Sequence, residues 1–445
     1  MHTDTAPTLK RSIGLVRATA MVVGTIVGAS IFVQPSVITG EMRSVAGVVL
    51  VWTFAGLLTL VGALICAELA SAYPESGGVY VFLREEYSPA LGFLWGWAMF
   101  WSMHSGIIAA IAVVCARFVG YFMPLGDSGI RLVAIAAILV LSAVNYIGVA
   151  AGSGLQAAFT IAKIVAIAGV VAAGFWLGAG LPAHFVGAAE TRAVSVGGFA
   201  AAVAAGLFAY GGWHMVTYTA EETREPRRVI PRALAIGTLI VTAVYVALNA
   251  VYLYVLPVDR VIASDRVAAD VAAALLGPRS AAAVSGLVAA SAFGALAGIV
   301  LTGPRVYFSM ARDGLLFRWA GGVHPRFGTP HRAIVLQAVW SAVLVATGTY
   351  RALFTRVVFT EWLFFAVLAA GLVGLRRRAG YAPAYRVPGA PVLPLAFAAA
   401  ALFVAVSQIA AQPRDSAVGL LLVLAGLPVY AWWTRRRPSP GAIAS

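Results

Sequence analysis

The chain has 445 residues, of which 61% are hydrophobic and 11% charged, with a formal net charge of +14 at pH 7. That balance excludes a water-surrounded globular domain and places most of the exterior against lipid. It also excludes a nucleic-acid binder, which would gather its basic residues on one polar face; here the arginines lie in loops between apolar runs.

Twelve apolar runs follow one another along the chain, at about 14–38, 45–72, 90–123, 130–149, 153–178, 197–220, 232–256, 279–309, 333–349, 354–375, 392–411 and 415–433. Each is near or above the ~20 residues that a spanning helix needs, so the expected fold is an all-α polytopic membrane protein with twelve transmembrane helices. The first run follows Lys10 and Arg11, is too long for a signal-peptide core and leads into further spans, so it reads as a span rather than a cleaved leader. With the N-terminus inside, most of the 31 Lys and Arg fall in inner loops and at the two termini. The positive-inside rule then puts both termini in the cytoplasm and the chain in the cytoplasmic (inner) membrane. The longest polar stretches, about 178–196 and 257–278, are too short for a soluble core. Residues 1–445 form a single membrane transport domain on this reading.

The first and sixth spans are interrupted midway by backbone-permissive residues: Gly24-Thr25-Ile26-Val27-Gly28-Ala29-Ser30 in one, Phe208-Ala209-Tyr210-Gly211-Gly212-Trp213 in the other. Polar backbone at membrane depth is tolerated only where protein or a watery cavity receives it. Paired breaks in the two halves of a chain point to the substrate site of a secondary transporter. An unwound helix exposes N–H groups on one side of the break and carbonyls on the other, which together suit a zwitterion. The N–H groups around Ala29, Ser30 and Ile31 suit a carboxylate. The carbonyls near Ile26, Phe208 and Gly211 suit an ammonium, so an α-amino acid is the simplest ligand. Ala20, Gly24 and Gly28 also read as a small-residue packing stripe. That reading does not reach Gly211-Gly212, which cost a helix roughly 1 kcal/mol each relative to Ala.

Because the first span enters from the inside and the sixth from the outside, two five-span units of opposite topology are expected. They cover 14–178 and 197–375, with two additional helices at 392–433. Arg376-Arg377-Arg378 and the Pro/Gly-rich stretch 380–394 mark the joint before the eleventh span.

Segments GTIVGASIFVQP, GALICAELASAYPESGGVYVF, LFAYGGWHMVTYTAEETREPRRVIPRAL, GPRVYFSMARDGLLF and HPRFGTP together resemble the amino acid–polyamine–organocation superfamily, in particular its L-type amino acid transporter branch. The resemblance runs from about Lys10 to Arg378. It implies a LeuT-type five-plus-five inverted repeat, alternating access, and amino acid exchange or proton-linked uptake. By matching position, Gly28, Ala29 and Ser30 fall at the carboxylate site, and Ile26, Phe208 and Gly211 at the amine site. Phe208 also matches an aromatic gate. The family's usual triplet is Gly-Ser/Thr-Gly, whereas Gly28-Ala29-Ser30 moves the hydroxyl one residue along and drops the second glycine. Lys163 matches a lysine that takes the place of sodium in sodium-independent members, tying the fifth span to the first break. Trp362 matches an aromatic that faces the site, and His214 a polar position near the substrate side chain.

Residue chemistry leaves alternatives at several of these positions. Lys163 lies about ten residues into the fifth span, where a lysine, unlike an arginine, is able to give up its proton; the alternative is a lysine snorkelling to the interface. For His214 and His104, packing competes with substrate contact, and Met103 and Ile107 are candidate pocket walls. Trp362 suits interfacial anchoring as well as a site role. Glu361 suits a solvated helix start or attraction of a cation. Glu68 reads as the structural partner of an arginine, and Glu221, Glu222, Arg224, Arg227 and Arg228 as an inner network or a solvated loop. Cys66 and Cys115 lie in apolar spans without ligand spacing, so they read as packing residues, and no disulfide-linked partner subunit is expected. No catalytic residue, metal site, nucleotide loop or cofactor is expected.

The expected partners are an amino acid substrate, the lipid bilayer and, in proton-linked uptake, protons. The substrate is expected to be a neutral amino acid. The alternatives are a polyamine or cationic amino acid carrier and a non-transporting sensor of the same fold.

Overall fold

A computed structural model of the chain describes residues 8–28, 30–32, 34–176, 195–264, 266–277 and 280–435. Among these residues every expected span corresponds to a helical segment, and ten stretches are long and apolar enough to cross a membrane. Helix is the form expected there, since it pairs its own backbone groups where no water reaches.

The first span is divided into α1 (Leu15–Ile26) and α2 (Gln34–Met42). It is followed by α3 (Val45–Ala72), the short α4 (Val79–Glu86), α5 (Pro89–Val119), α6 (Asp127–Ile147) and α7 (Val149–Trp176). The sixth span is also divided, into α8 (Val196–Ala209) and a tight 3-10 stretch, Trp213–Glu222. Beyond it come α9 (Pro226–Val255), α10 (Val267–Leu276), α11 (Ser280–Thr302) and α12 (Pro304–Arg312). The series ends with the 17-residue α13 (His331–Thr347), α14 (Tyr350–Leu375), α15 (Val392–Ala411) and α16 (Pro413–Arg435). Several starts carry a serine cap: the Ser44, Ser88 and Ser195 hydroxyls accept from the N–H groups of Gly47, Leu91 and Gly198.

The interrupted α1 sits at the centre, against α7, α9 and α11; α3 lies along α9 and α5 along α11. Small residues permit these approaches. A Cβ on Gly24 would collide with the Gln156 and Thr160 side chains of α7, and one on Gly56 would meet Thr242 at 2.5 Å and the Tyr210 hydroxyl at 2.8 Å. Gly24 thus has the packing role that the stripe reading gave it, while a Cβ on Gly28 would meet nothing nearer than 3.8 Å. Large apolar side chains such as Val16, Leu132, Val165 and Leu421 point outward, as a lipid-facing surface requires.

Charged residues gather on the side of the bundle where the chain starts. Glu68, fully buried, accepts from Arg376 through both carboxylate oxygens, from the Tyr381 hydroxyl at 3.2 Å and from the Val387 N–H at 2.7 Å. Arg84 pairs with Glu75 and Glu85 at 2.9 Å and also with Asp313.

Glu86 differs from both. Its carboxylate is buried at the end of α4 and neither oxygen has a hydrogen-bond partner, while Arg378 donates to the Glu85 and Glu86 carbonyls. Burial pushes the Glu86 carboxyl well above the usual carboxylate range, and the Arg378 charge opposes this only in part. A carboxyl whose pKa is higher folded than unfolded stabilises the folded chain at low pH, and the contribution is lost as pH rises towards the folded pKa. Thermal unfolding of the purified protein should therefore lose stability above about pH 4.5, at up to ~1.4 kcal/mol per pH unit, and Glu86→Gln should flatten that slope. A variant with the wild-type slope would assign the proton elsewhere.

Candidate substrate-binding site

Both breaks are real and they face each other. α1 stops at Ile26, Val27 leaves helical geometry (φ −74, ψ 85), and the chain resumes in a short 3-10 turn, Ser30–Phe32. Ala29 lies outside the described residues. In the sixth span α8 stops at Ala209, and Gly212 takes a left-handed conformation (φ +99) before Trp213. Glycine is needed here twice over: the conformation disfavours a side chain, and a Cβ would lie 3.1 Å from the Thr25 carbonyl oxygen. Close by, the Thr25 hydroxyl approaches the Gly212 carbonyl at 3.1 Å, as well as the Met21 and Val22 carbonyls of its own helix.

The carbonyls freed by the breaks find partners on neighbouring helices. The Tyr245 hydroxyl, from α9, lies within donating distance of the Ile26 carbonyl (3.0 Å) and the Ala209 carbonyl (3.2 Å). Lys163, from α7, is buried and donates to the Gly24 carbonyl at 2.9 Å and to the Val27 carbonyl. The Ser291 hydroxyl of α11 is 3.4 Å from the carbonyls of Val27 and Gly28. One and two α-helical turns along α7, Thr160 and Gln156 donate to the Ala20 carbonyl at 3.2 and 3.1 Å. One face of α7 thus holds the end of α1, and its ammonium occupies a nest of carbonyl oxygens.

A cavity of about 650 Å³ opens beside the breaks. Of the residues expected at the site, Ile26, Gly28, Ser30, Phe208, Gly211 and Trp362 line it. Ile107 lines it too, whereas Met103 does not and instead accepts from Thr360 at 3.7 Å. Lys163 stands behind the wall, against the backbone of α1. His214 does not reach the cavity; it is fully buried among the rings of Trp95, Trp213, Tyr218 and Phe365. His104 bonds the Ile299 carbonyl at 2.9 Å through Nε2, a structural contact.

Two further placements differ from the sequence reading. Glu361 is not a solvated helix start: α14 begins at Tyr350, so Glu361 lies well inside it, on the cavity wall, with Oε1 3.6 Å from His214 Nε2. Its presence in an apolar run was the available signal, since an ionisable residue inside a span is by default a functional candidate. Secondly, Glu222 and Glu221 do not pair with Arg224, Arg227 or Arg228. Glu222 forms a two-pronged pair with Arg305, both fully buried, at 2.7 Å for each bond, and Glu221 binds Arg312 at 2.9 Å.

These pairs lie beyond the cavity lining, nearer the chain start. The cavity walls reach Arg117, Tyr121 and Arg266 at the end away from the chain start. Towards the chain start lie the His214 ring cluster and then Glu222–Arg305, to which the N-terminal segment is tied by Ser12 and Ile13 N–H bonds to the Glu222 carbonyl. Among the described residues no three His, Cys, Asp or Glu are grouped to hold a metal ion, and Cys66 and Cys115 are buried free thiols.

The whole span of this architecture matches one protein family. A model described as amino acid permease covers residues 13–431. The chain is 32% identical over 443 residues to the serine/threonine exchanger SteT of Bacillus subtilis, covering 99% of this chain and 100% of that one. It is 32% identical over 431 residues to the human b(0,+)-type amino acid transporter 1, covering 95% and 88%. A third relative, the large neutral amino acids transporter small subunit 2 of Oryctolagus cuniculus, is 32% identical over 450 residues, covering 95% and 80%. The facing helix breaks and the full-length match agree, and this polytopic membrane protein belongs to the amino acid permease family.

Proposed function

We propose that the protein moves neutral amino acids across the cytoplasmic membrane by alternating access, without sodium, in exchange for internal amino acid or together with a proton. The observation that carries this reading is the pair of facing breaks on one cavity, with N–H groups at Ser30 and Ile31 for a carboxylate and, for an ammonium, the Phe208 and Gly211 carbonyls beside an Ile26 carbonyl that Tyr245 also holds. Lys163 takes the place of sodium: its ammonium sits on the Gly24 and Val27 carbonyls, where a metal ion would otherwise supply the positive charge. Two inverted five-span units, 14–178 and 197–375, rock against each other around the breaks, and 392–433 lies outside the repeat. The cavity that reaches the end away from the chain start, and the Glu222–Arg305 pair that lies beyond the other, support an outward-open state with both termini inside. Cysteines confined to spans support function without a disulfide-linked subunit.

Glu361 favours a second reading. A carboxylate on the cavity wall would suit a cationic amino acid or polyamine, so the substrate panel must include lysine and a diamine.

Uptake of labelled amino acids into proteoliposomes should be stimulated by internal unlabelled amino acid and unchanged when Na⁺ is replaced by choline; a strict Na⁺ requirement would overturn the role of Lys163. Lys163→Ala, which removes charge-assisted bonds to two carbonyls, should slow uptake by about 10- to 100-fold. Unaltered uptake with an unaltered pH profile would take the lysine out of the mechanism. For the second break, Gly212→Ala should lower the unfolding midpoint by the equivalent of roughly 1–2 kcal/mol, through its left-handed conformation. Gly211→Ala, which meets only the Phe208 carbonyl at 3.2 Å, should cost less. Equal midpoints would mean that the left-handed turn is not required.

A further inference from the structure

The three consecutive arginines after α14 are used in three different ways. Arg376 turns inward, donating to both oxygens of Glu68 and to the Val387 carbonyl at 3.0 Å, so its charge is compensated. Arg378 turns towards α4 and bonds the carbonyls of Glu85 and Glu86. Between them Arg377 points outward, exposed, and its side chain makes no hydrogen bond or ion pair among the described residues.

Arg377 stands at the rim of a crevice of about 200 Å³ where the end of α14 meets the start of α15. Leu372, Val373, Pro391 and Pro394 form its apolar walls, with the Arg376 side chain at its edge. Immediately along α15, Val392 is 70% exposed and Leu395 47% exposed, both apolar and pointing away from the protein. α14 and α15 are each long enough to span, so their junction falls at the membrane surface, on the same side as the chain start. The crevice therefore combines a free guanidinium at headgroup depth with an apolar wall that continues into the hydrocarbon.

We propose that this crevice binds the phosphate headgroup of an anionic phospholipid, with Arg377 holding the phosphate and an acyl chain lying along Val373, Val392 and Leu395. Guanidinium is the side chain best matched to a phosphate, presenting paired donors in a planar fork. The apolar walls select a lipid over free phosphate, which has nothing to place against Leu372 or Pro394. A zwitterionic lipid carries its own cation beside the phosphate and gains less from a single arginine. Because α14 also carries Glu361 and Trp362 on the cavity wall, a lipid seated here braces the helix that contributes those side chains.

Native mass spectrometry of the purified, delipidated full chain tests this, using phosphatidylglycerol, phosphatidylcholine and inorganic phosphate as probes. Wild type should retain phosphatidylglycerol in preference to phosphatidylcholine. Arg377→Gln should weaken phosphatidylglycerol binding about fivefold and leave phosphatidylcholine unchanged, the effect of one arginine near an anionic headgroup. Val373→Trp, which fills the crevice but keeps the arginine, should have a similar effect, and Arg386→Gln, outside the crevice, should have little. The proposal is overturned if Arg377→Gln binds like wild type. It is equally overturned if Arg386→Gln weakens binding as much, which would mean a diffuse basic surface, or if inorganic phosphate displaces the lipid at matching concentration. Unfolding midpoints equal to wild type in all three variants separate lost binding from lost fold.

Discussion

The structure depends on how it satisfies backbone groups released at two helix breaks in a medium without water. Each unpaired carbonyl or N–H in such surroundings costs several kcal/mol. Interrupting two helices at the same depth would be prohibitive without dedicated partners. Those partners are Lys163 for Gly24 and Val27, Tyr245 for Ile26 and Ala209, and Thr25 for Gly212. They come from α7, α9 and α1 itself, which explains why α1 sits at the centre of the bundle against those helices. The same constraint accounts for Gly24 and Gly212, where a side chain would push apart helices that must touch.

From that core the two ends of the cavity acquire different characters. At one end the walls are aromatic and aliphatic with arginines near the rim; at the other, a layer of rings lies above a buried carboxylate–guanidinium pair. Burying Glu222 with Arg305 carries a desolvation penalty that two well-formed hydrogen bonds offset only if the geometry is kept. Such a pair suits an element with two arrangements, because separating it in a closed site is costly whereas water that enters on opening solvates both charges. The N-terminal segment is bound to the Glu222 carbonyl through the Ser12 and Ile13 N–H groups, which couples it to that pair.

Much of this was legible in the sequence, for identifiable reasons. Spans are written as composition, so each expected apolar run matched a helical segment, and the breaks are written as glycines that a helix disfavours. Lys163 stood out as a lysine inside an apolar run, but its tie to the first break came from the resemblance; its bonds to the Gly24 and Val27 carbonyls match that placement. What was not legible depends on contacts between residues far apart in the chain. Glu222 has three nearby arginines in sequence, yet its partner is Arg305, 83 residues away. Glu361 was read as a helix start or a cation attractor although the apolar run was placed at 354–375; α14 begins eleven residues before it, at Tyr350, in a stretch that contains arginines. His214 adjoins the break but turns into a shell of rings, a direction that spacing alone does not give.

The central claim is that the two breaks together recognise both charged ends of one α-amino acid. Thermal stabilisation of the purified protein by a neutral amino acid, compared with its methyl ester and its N-acetyl derivative at equal concentrations, tests it most directly. The account predicts a rise in the unfolding midpoint with the free amino acid and little or none with either derivative, since each blocks one end of the zwitterion. Equal stabilisation by the ester or by the N-acetyl form would contradict it, because one of the two sets of backbone groups would then have no part in binding.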